Sequence, residues 1–317
     1  MKKRFVLIVS FLIICSTFIL IFLIFGSVES VNIPQSQYIY ENKNSINNLV
    51  ENSEIKDLMK HFKGEGMNIA IIDSGIYEHR DFDSRIIKFV DFINGNLTPY
   101  DDFGHGTEVA GIIAGDGSLS NGVNVGIAPQ SNLVVLKVFD SKGKTDLNRL
   151  KKAINWVSEN RKLYNIKVLT LSLGYGFYED YQTDPLYGTI INLINQGVLV
   201  VTSAGNTNFG DFRVSAPGNI PEVLSVGSTS MIKINLIEDS TKETVSKKPN
   251  LYAPGRNIIT TNTPLGALRK SDENYVSVSG TSYSAAIVSG IALLLFEKYE
   301  NITISKIFEI IKNISFE

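Results

Sequence analysis

Met67-Asn68-Ile69-Ala70-Ile71-Ile72-Asp73-Ser74-Gly75 is a short apolar run that ends on a carboxylate and a Ser-Gly turn. An unbroken apolar run closed by a turn signal predicts a strand buried on both faces, here ending at Asp73. Residues 133–138, 168–173 and 198–202 read the same way. Helical patterns separate them. Residues 55–62 are expected to form the first helix of the body. Residues 105–115 are small and apolar and predict a buried helix. Residues 146–164 place Leu147, Leu150, Ile154 and Val157 at helical spacing, and residues 282–299 predict an apolar helix. Strands alternating with helices imply an α/β fold with a mostly parallel central sheet and helices on both faces. Ligands of such sheets bind beyond the carboxyl ends of the strands, where Asp73 and Asn206 stand.

Composition narrows the function. The chain has 317 residues, 44% of them hydrophobic and 20% charged, with a net charge of −2. These are the proportions of a globular protein. Lys2, Lys3 and Arg4 supply three of the positive charges, so the remainder is more acidic still, which argues against a nucleic-acid partner. Cys15 is the only cysteine and lies in the first apolar run, so the body has no disulfide, no cysteine-ligated zinc and no thiol nucleophile. The basic tip is followed by residues 5–25, which hold no charge. That length favours a retained signal anchor spanning a membrane. A signal peptide cut near Val28-Glu29-Ser30 is the alternative. Either way the positive-inside rule places the rest outside the cytoplasm. Leu12-Ile13-Ile14-Cys15 approaches a lipoprotein box, but the large Ile14 argues against it. Residues 26–48 are polar and rich in Asn, Ser and Gln and read as a linker, which leaves residues 49–317 as one domain.

Three islands carry the chemistry: Asp73-Ser74-Gly75, His105-Gly106-Thr107 and Gly280-Thr281-Ser282. Singly, each has an ordinary explanation. An Asp after a strand caps a turn, a His at a helix start packs, and a Ser opening a helix is an N-cap. Together they suggest more. A serine hydroxyl becomes a nucleophile when an imidazole takes its proton and a carboxylate holds that imidazole. The chain order Asp, His, Ser is that of subtilisin, not of chymotrypsin or the α/β-hydrolases. On these islands the chain resembles the subtilisin-like (S8) serine proteases. The resemblance extends to Val201-Thr202-Ser203-Ala204-Gly205-Asn206, Ser172-Leu173-Gly174, Gly126-Ile127-Ala128-Pro129 and Tyr252-Ala253-Pro254-Gly255.

The resemblance implies a three-layer subtilisin-like fold and a serine endopeptidase working through an acyl-enzyme. Ser282 would attack the scissile carbonyl, His105 would take its proton and pass it to the leaving amine, and Asp73 would orient His105. The Asn206 side chain and the Ser282 N–H would hold the oxyanion. An extended substrate would lie between the edges Ser172-Leu173-Gly174 and Gly143-Lys144-Thr145, paired through its main chain. Ser203, Ala204 and Gly205 would border it. Ser215 would stand at the base of the S1 pocket, where glycine is common, and shorten it. Pro217, after Ala216, falls where the family often has a cis proline. Lys142 and Lys144 would favour acidic substrate residues. The implied partners are a peptide or protein substrate and, through the N-terminal helix, a membrane; the expected form is a monomer.

Departures from the family pattern matter as well. Glu108 stands where many members have a second histidine, one helical turn after His105, and is expected to modulate the imidazole. A Glu, Asp, Ser set of the sedolisin kind is set aside because His105 is intact. Ala286 replaces a usual proline. A structural calcium site would use Asp81 and Asn121, on a loop that reads as one residue short; the alternative is a plain turn. About 25 residues separate the apolar run from the catalytic reading, too few for an independent chaperone-like prodomain. Three functions compete: a broad cell-surface degrader, a dedicated processing or leader peptidase, and a catalytically silent peptide-binding module.

Overall fold

The computed structural model describes residues 45–205, 213–229, 248–314 and 316. Its central sheet runs, edge to edge, β2 (Ile86–Asp91), β3 (Asn132–Lys137), β1 (Asn68–Asp73), β4 (Ile166–Leu171), β5 (Leu199–Ser203), β6 (Leu224–Ser228) and β7 (Leu251–Ala253). Every neighbouring pair is parallel. The helices are α1 (Ile46–Leu49), α2 (Ser53–His61), α3 (His105–Ala114), α4 (Leu147–Asn160), α5 (Tyr187–Asn195), α6 (Thr281–Lys298) and α7 (Ile304–Lys312).

The two-residue period of a strand sends alternate side chains to opposite faces, and both faces are covered. Ile69 and Ile71 of β1, Leu133 and Val135 of β3, and Leu199 and Val201 of β5 pack into one core with residues of α2, α3, α6 and α7. Ala70 and Ile72, Val134 and Leu136, and Val200 pack into the other with residues of α4 and α5. The expected three-layer α/β architecture follows from this double burial. In α6 every residue from Thr281 to Phe296 is buried, as an all-round apolar sequence requires. Among the described residues no helix is long and apolar enough to cross a membrane. The apolar run 5–25 and the linker up to residue 44 lie outside them.

The compact unit begins earlier than the sequence suggests. Ser45, Ile46 and Val50 are buried, because Ile46 and Val50, four residues apart, both turn inward and join the core beside α2. Residues 45–48, read as linker, therefore belong to the packed body. Asn52 caps α2 by accepting from the Glu54 and Ile55 amides, and Asp146 caps α4 through the Arg149 amide.

β1 is the strand from which the chain departs toward one edge of the sheet, while the connection after β4 leads to the other. The crevice at that reversal opens beyond the carboxyl ends of β1 and β4, where sites form in open α/β sheets. A separate antiparallel pair, β8 (Ile258–Thr261) and β9 (Tyr275–Val278), carries a long loop. The loop pairs its Ala267 and Leu268 amides with the carbonyls of Asp102 and Phe103, just ahead of α3.

Candidate active site

Asp73 is the last residue of β1 and has no exposed surface. Its carboxylate accepts His105 Nδ1–H, at 2.8 Å to Oδ1 and 2.9 Å to Oδ2, and the Ser74 amide at 2.7 Å. An ionised carboxylate only accepts, so Nδ1 carries the proton and Nε2 of a neutral imidazole is left as the base. Burial alone would lower the His105 pKa. The charge and hydrogen bond of Asp73, together with the charges of Glu108 and Asp101, outweigh it, and the result is raised to about 9.

What aims His105 is the packing of the start of α3 on the β1 turn. A Cβ on Gly106 would come within 2.2 Å of the Gly75 carbonyl oxygen, and one on Gly75 within 2.1 Å of the Tyr100 carbonyl oxygen, so only glycine permits the approach at either place. Asp101 then ties the turn together. It is fully buried and accepts from the Ser74 hydroxyl at 2.9 Å, the Gly104 amide at 2.7 Å, and the Thr107 amide and hydroxyl at 2.9 and 2.7 Å. The Gly106 amide donates back to Ser74 Oγ at 2.9 Å. Beneath the turn the buried Lys137 donates to the Ser74 and Phe139 carbonyls and to Asp102.

Ser282 occupies the first turn of α6 and is almost wholly buried. The first four amides of a helix lack intrahelical partners and carry a partial positive charge. The Ser282 hydroxyl donates to the Ser172 carbonyl at 3.0 Å, and Ser172 Oγ donates to the Ser282 carbonyl at 3.2 Å. Among the described residues no hydrogen bond joins Ser282 Oγ to His105. The two are brought together through Tyr283, whose ring centroid is 5.5 Å from that of His105.

The substrate residues expected from sequence gather here too. β4 and β5 are paired as far as Leu171 and Thr202, and the chain then runs on through Ser172-Leu173-Gly174 and Ser203-Ala204-Gly205. Ser215 lies between these two extensions. A Cβ on Gly174 would meet Ser215 Oγ at 2.3 Å and one on Gly205 at 2.7 Å, and the Ser215 amide donates to the Ala204 carbonyl. The Ala216–Pro217 bond is cis. Gly143 abuts the Phe103 ring, which brings Gly143-Lys144-Thr145 to the His105 side. Lys144 itself is not a free edge residue. Its amide donates to Asp140 Oδ1, and its carbonyl accepts the Asp140 amide. Among the described hydrogen bonds none uses the Gly143 carbonyl or the Thr145 backbone, and Thr145 Oγ1 is buried without a partner. Asn206 lies outside the described residues.

The residues expected to hold calcium do not fit it. The buried Asp81 accepts the Leu119 amide on Oδ1 at 3.0 Å and the Tyr275 hydroxyl on Oδ2 at 2.7 Å. His79 Nδ1 is 3.6 Å from Oδ1. That nitrogen accepts the Asp81 amide while Nε2–H donates to the Asn274 carbonyl, and burial, against the charge of Asp81, lowers the His79 pKa. Asn121 closes the turn Ser118–Ser120 with φ 52°. The Asn124 side-chain amide oxygen is buried without a partner, but calcium takes six to eight oxygens. Among the described residues no cluster of three or more His, Cys, Asp or Glu side chains could hold a metal.

Sequence reasoning did not single out Asp101, Lys137, Tyr283 or Arg269. Asp101 and Lys137 were within reach, as charged residues beside a glycine-rich island and at the end of an apolar strand. Tyr283 and Arg269 matter only through long-range contact and leave no local signal.

Fold and site together are those expected of a serine hydrolase on a parallel α/β sheet. A model of the subtilase family matches residues 64–315. Serine protease AprX of Bacillus subtilis (strain 168) is 31% identical over 308 residues, covering 90% of this chain and 70% of that protein. The major intracellular serine protease of the same organism is 33% identical over 250 residues, covering 76% of this chain and 71% of that protein. The crystal structure of a cold adapted subtilisin-like serine proteinase superposes with a TM-score of 0.62 over 84% of this chain and 90% of its own. At 24% identity it speaks for the fold alone. The chain belongs to the subtilase family and is a subtilisin-like serine endopeptidase.

Proposed function

We propose that the chain hydrolyses peptide bonds through Ser282, His105 and Asp73. The observation that carries this reading is the buried Asp73–His105 pair, with Nδ1–H on the carboxylate at 2.8 Å, set against the residue that follows Ser282. Ser282 Oγ turns from the Ser172 carbonyl toward His105 Nε2, gives up its proton and bonds to the substrate carbonyl carbon. Asp73 stabilises the imidazolium that results, without taking its proton. The Ser282 amide, at the positive end of α6, and the side chain of Asn206 receive the oxyanion. His105 then protonates the leaving amine, and water repeats the sequence on the acyl-enzyme.

The substrate lies extended between Gly174 and the Gly143–Thr145 edge, with one side chain entering the slot floored by Ser215. A slot narrowed by a hydroxymethyl group suits a small side chain, and narrow selection supports a dedicated processing or leader peptidase over a general degrader. The basic tip and the apolar run 5–25 support action outside the cytoplasmic membrane, as an anchored or secreted enzyme; the intracellular relative supports the other location. Mass spectrometry of the mature N terminus, with carbonate extraction of membranes, separates the three cases. The rival reading of a silent peptide-binding module takes its support from the Ser282 hydroxyl resting on Ser172. Hydrolysis of a protein substrate by the full chain, lost in folded Ser282→Ala, supports the protease. A folded wild type that cleaves nothing and binds no serine-directed fluorophosphonate supports the module.

A further inference from the structure

Glu108 is a buried carboxylate near the proposed base that the mechanism does not use. It lies one turn along α3 from His105, is 1% exposed, and has both oxygens engaged. Oε1 accepts Arg269 Nε at 2.7 Å from the β8–β9 loop, and Oε2 accepts the Tyr283 hydroxyl at 2.5 Å from α6. The Tyr283 ring is tilted at 46° to the His105 ring, with the centroids 5.5 Å apart. One carboxylate thus joins the helix of the base, the helix of the nucleophile and the loop that covers the start of α3.

We propose that Glu108, clamped between Tyr283 and Arg269, is a positioning residue for His105. It holds the Tyr283 ring against the imidazole and sets a second negative charge beside that of Asp73. This rests on His105 acting as the base. Glu108 touches neither Ser282 nor the Asp73–His105 hydrogen bond in the described contacts, so it acts through its neighbours. A lone buried carboxylate is costly in ionised form. Burial raises the Glu108 pKa; the Tyr283 hydrogen bond and the charges of Arg269 and His105 oppose this. Burial prevails, so the Glu108 pKa stays above its ordinary value, and Arg269 and Tyr283 are the groups whose contacts favour its ionised form. The charged and titratable groups around His105 are Asp73 from β1, Asp101 from the loop before α3, Glu108 from α3 and Tyr283 from α6, with Arg269 behind Glu108 and Lys137 of β3 behind the Asp73 turn.

The test is an NMR titration of His105 in the full chain, one of only three histidines, read beside kcat and KM for peptide hydrolysis. Glu108→Gln removes the charge and should lower the His105 midpoint by about 0.5–1 unit. Tyr283→Phe keeps the ring and the carboxylate but removes the hydrogen bond that favours ionised Glu108. It should lower the midpoint in the same direction by less, with kcat on the alkaline plateau, where His105 is neutral in both proteins, falling about fivefold and KM within twofold. A folded Glu108→Gln whose midpoint stays within about 0.2 unit of wild type overturns the proposal. If that variant does not fold, an unshifted midpoint and an unchanged kcat in Tyr283→Phe overturn it. A wild type that cleaves no peptide, yet shows the midpoint shifts, sinks the protease mechanism and leaves the coupling standing.

Discussion

At the scale of single residues, the proposed base, His105, is where a pH dependence of activity should be read. Only neutral imidazole can take the serine proton, and its folded pKa is raised to about 9. The acid limb of kcat/KM should therefore lie above the ordinary histidine value of ~6.5 and extend toward 9; a limb centred at or below ~6.5 would show that the neighbouring carboxylates do not act as described. The same shift is a stability term. Because the folded pKa exceeds the unfolded one, the stabilisation is complete below ~6.5 and is lost as pH rises through about 9. Asp101 is the residue whose removal should spread furthest. Asp101→Ala strands the Ser74 hydroxyl, the Gly104 amide and both donors of Thr107, and each buried unpaired group costs ~1–3 kcal/mol. Denaturant unfolding should show a loss of about 3 kcal/mol or more together with reduced kcat; a loss under ~0.5 kcal/mol would contradict the hub.

At the scale of elements, the proposed S1 slot beyond the ends of β4 and β5 turns on Ser215, whose Oγ lies so close to Gly174 and Gly205 that a Cβ on either would come within 2.3 or 2.7 Å of it. Ser215→Gly should open it and shift kcat/KM toward larger P1 side chains. One methylene in such a pocket is worth ~1–3 kcal/mol, or about 10–200-fold in discrimination. Profiling of cleavage sites in a peptide library reads this directly, and an unchanged P1 preference would remove Ser215 from the pocket floor. The same elements show what the sequence makes legible. The apolar runs ending at Asp73 and near Leu171 are visible because a doubly covered parallel strand must be apolar on both faces. β2 is harder to see: Ile86, Lys88 and Val90 are only partly covered at the sheet edge, and Lys88 interrupts the run. β8 and β9 are short and form a separate two-stranded sheet, so neither leaves a long pattern. The residues of the proposed triad stand out through their small neighbours. The Asp101 hub and the Glu108–Tyr283–Arg269 clamp do not, because their partners come from distant parts of the chain.

At the scale of the whole molecule, the fold places three segments far apart in sequence at one crevice beyond the carboxyl ends of β1 and β4. The body is held by two apolar cores, one on each face of the sheet. The Asp81 locus is closed by the Leu119 amide and the Tyr275 hydroxyl, groups that present hydrogens where a cation would sit. Thermal unfolding should accordingly be unmoved by millimolar EDTA or by added calcium. A rise in Tm with calcium that disappears in Asp81→Asn would show that the loop rearranges to take the ion.

The most direct test of the central claim is to treat the full chain with a fluorophosphonate and locate the adduct by peptide mass spectrometry. The account predicts a single adduct on Ser282, formed slowly in folded His105→Ala and absent from Ser282→Ala. A folded wild type that carries no adduct, or carries it on another residue while still cleaving peptides, would contradict it.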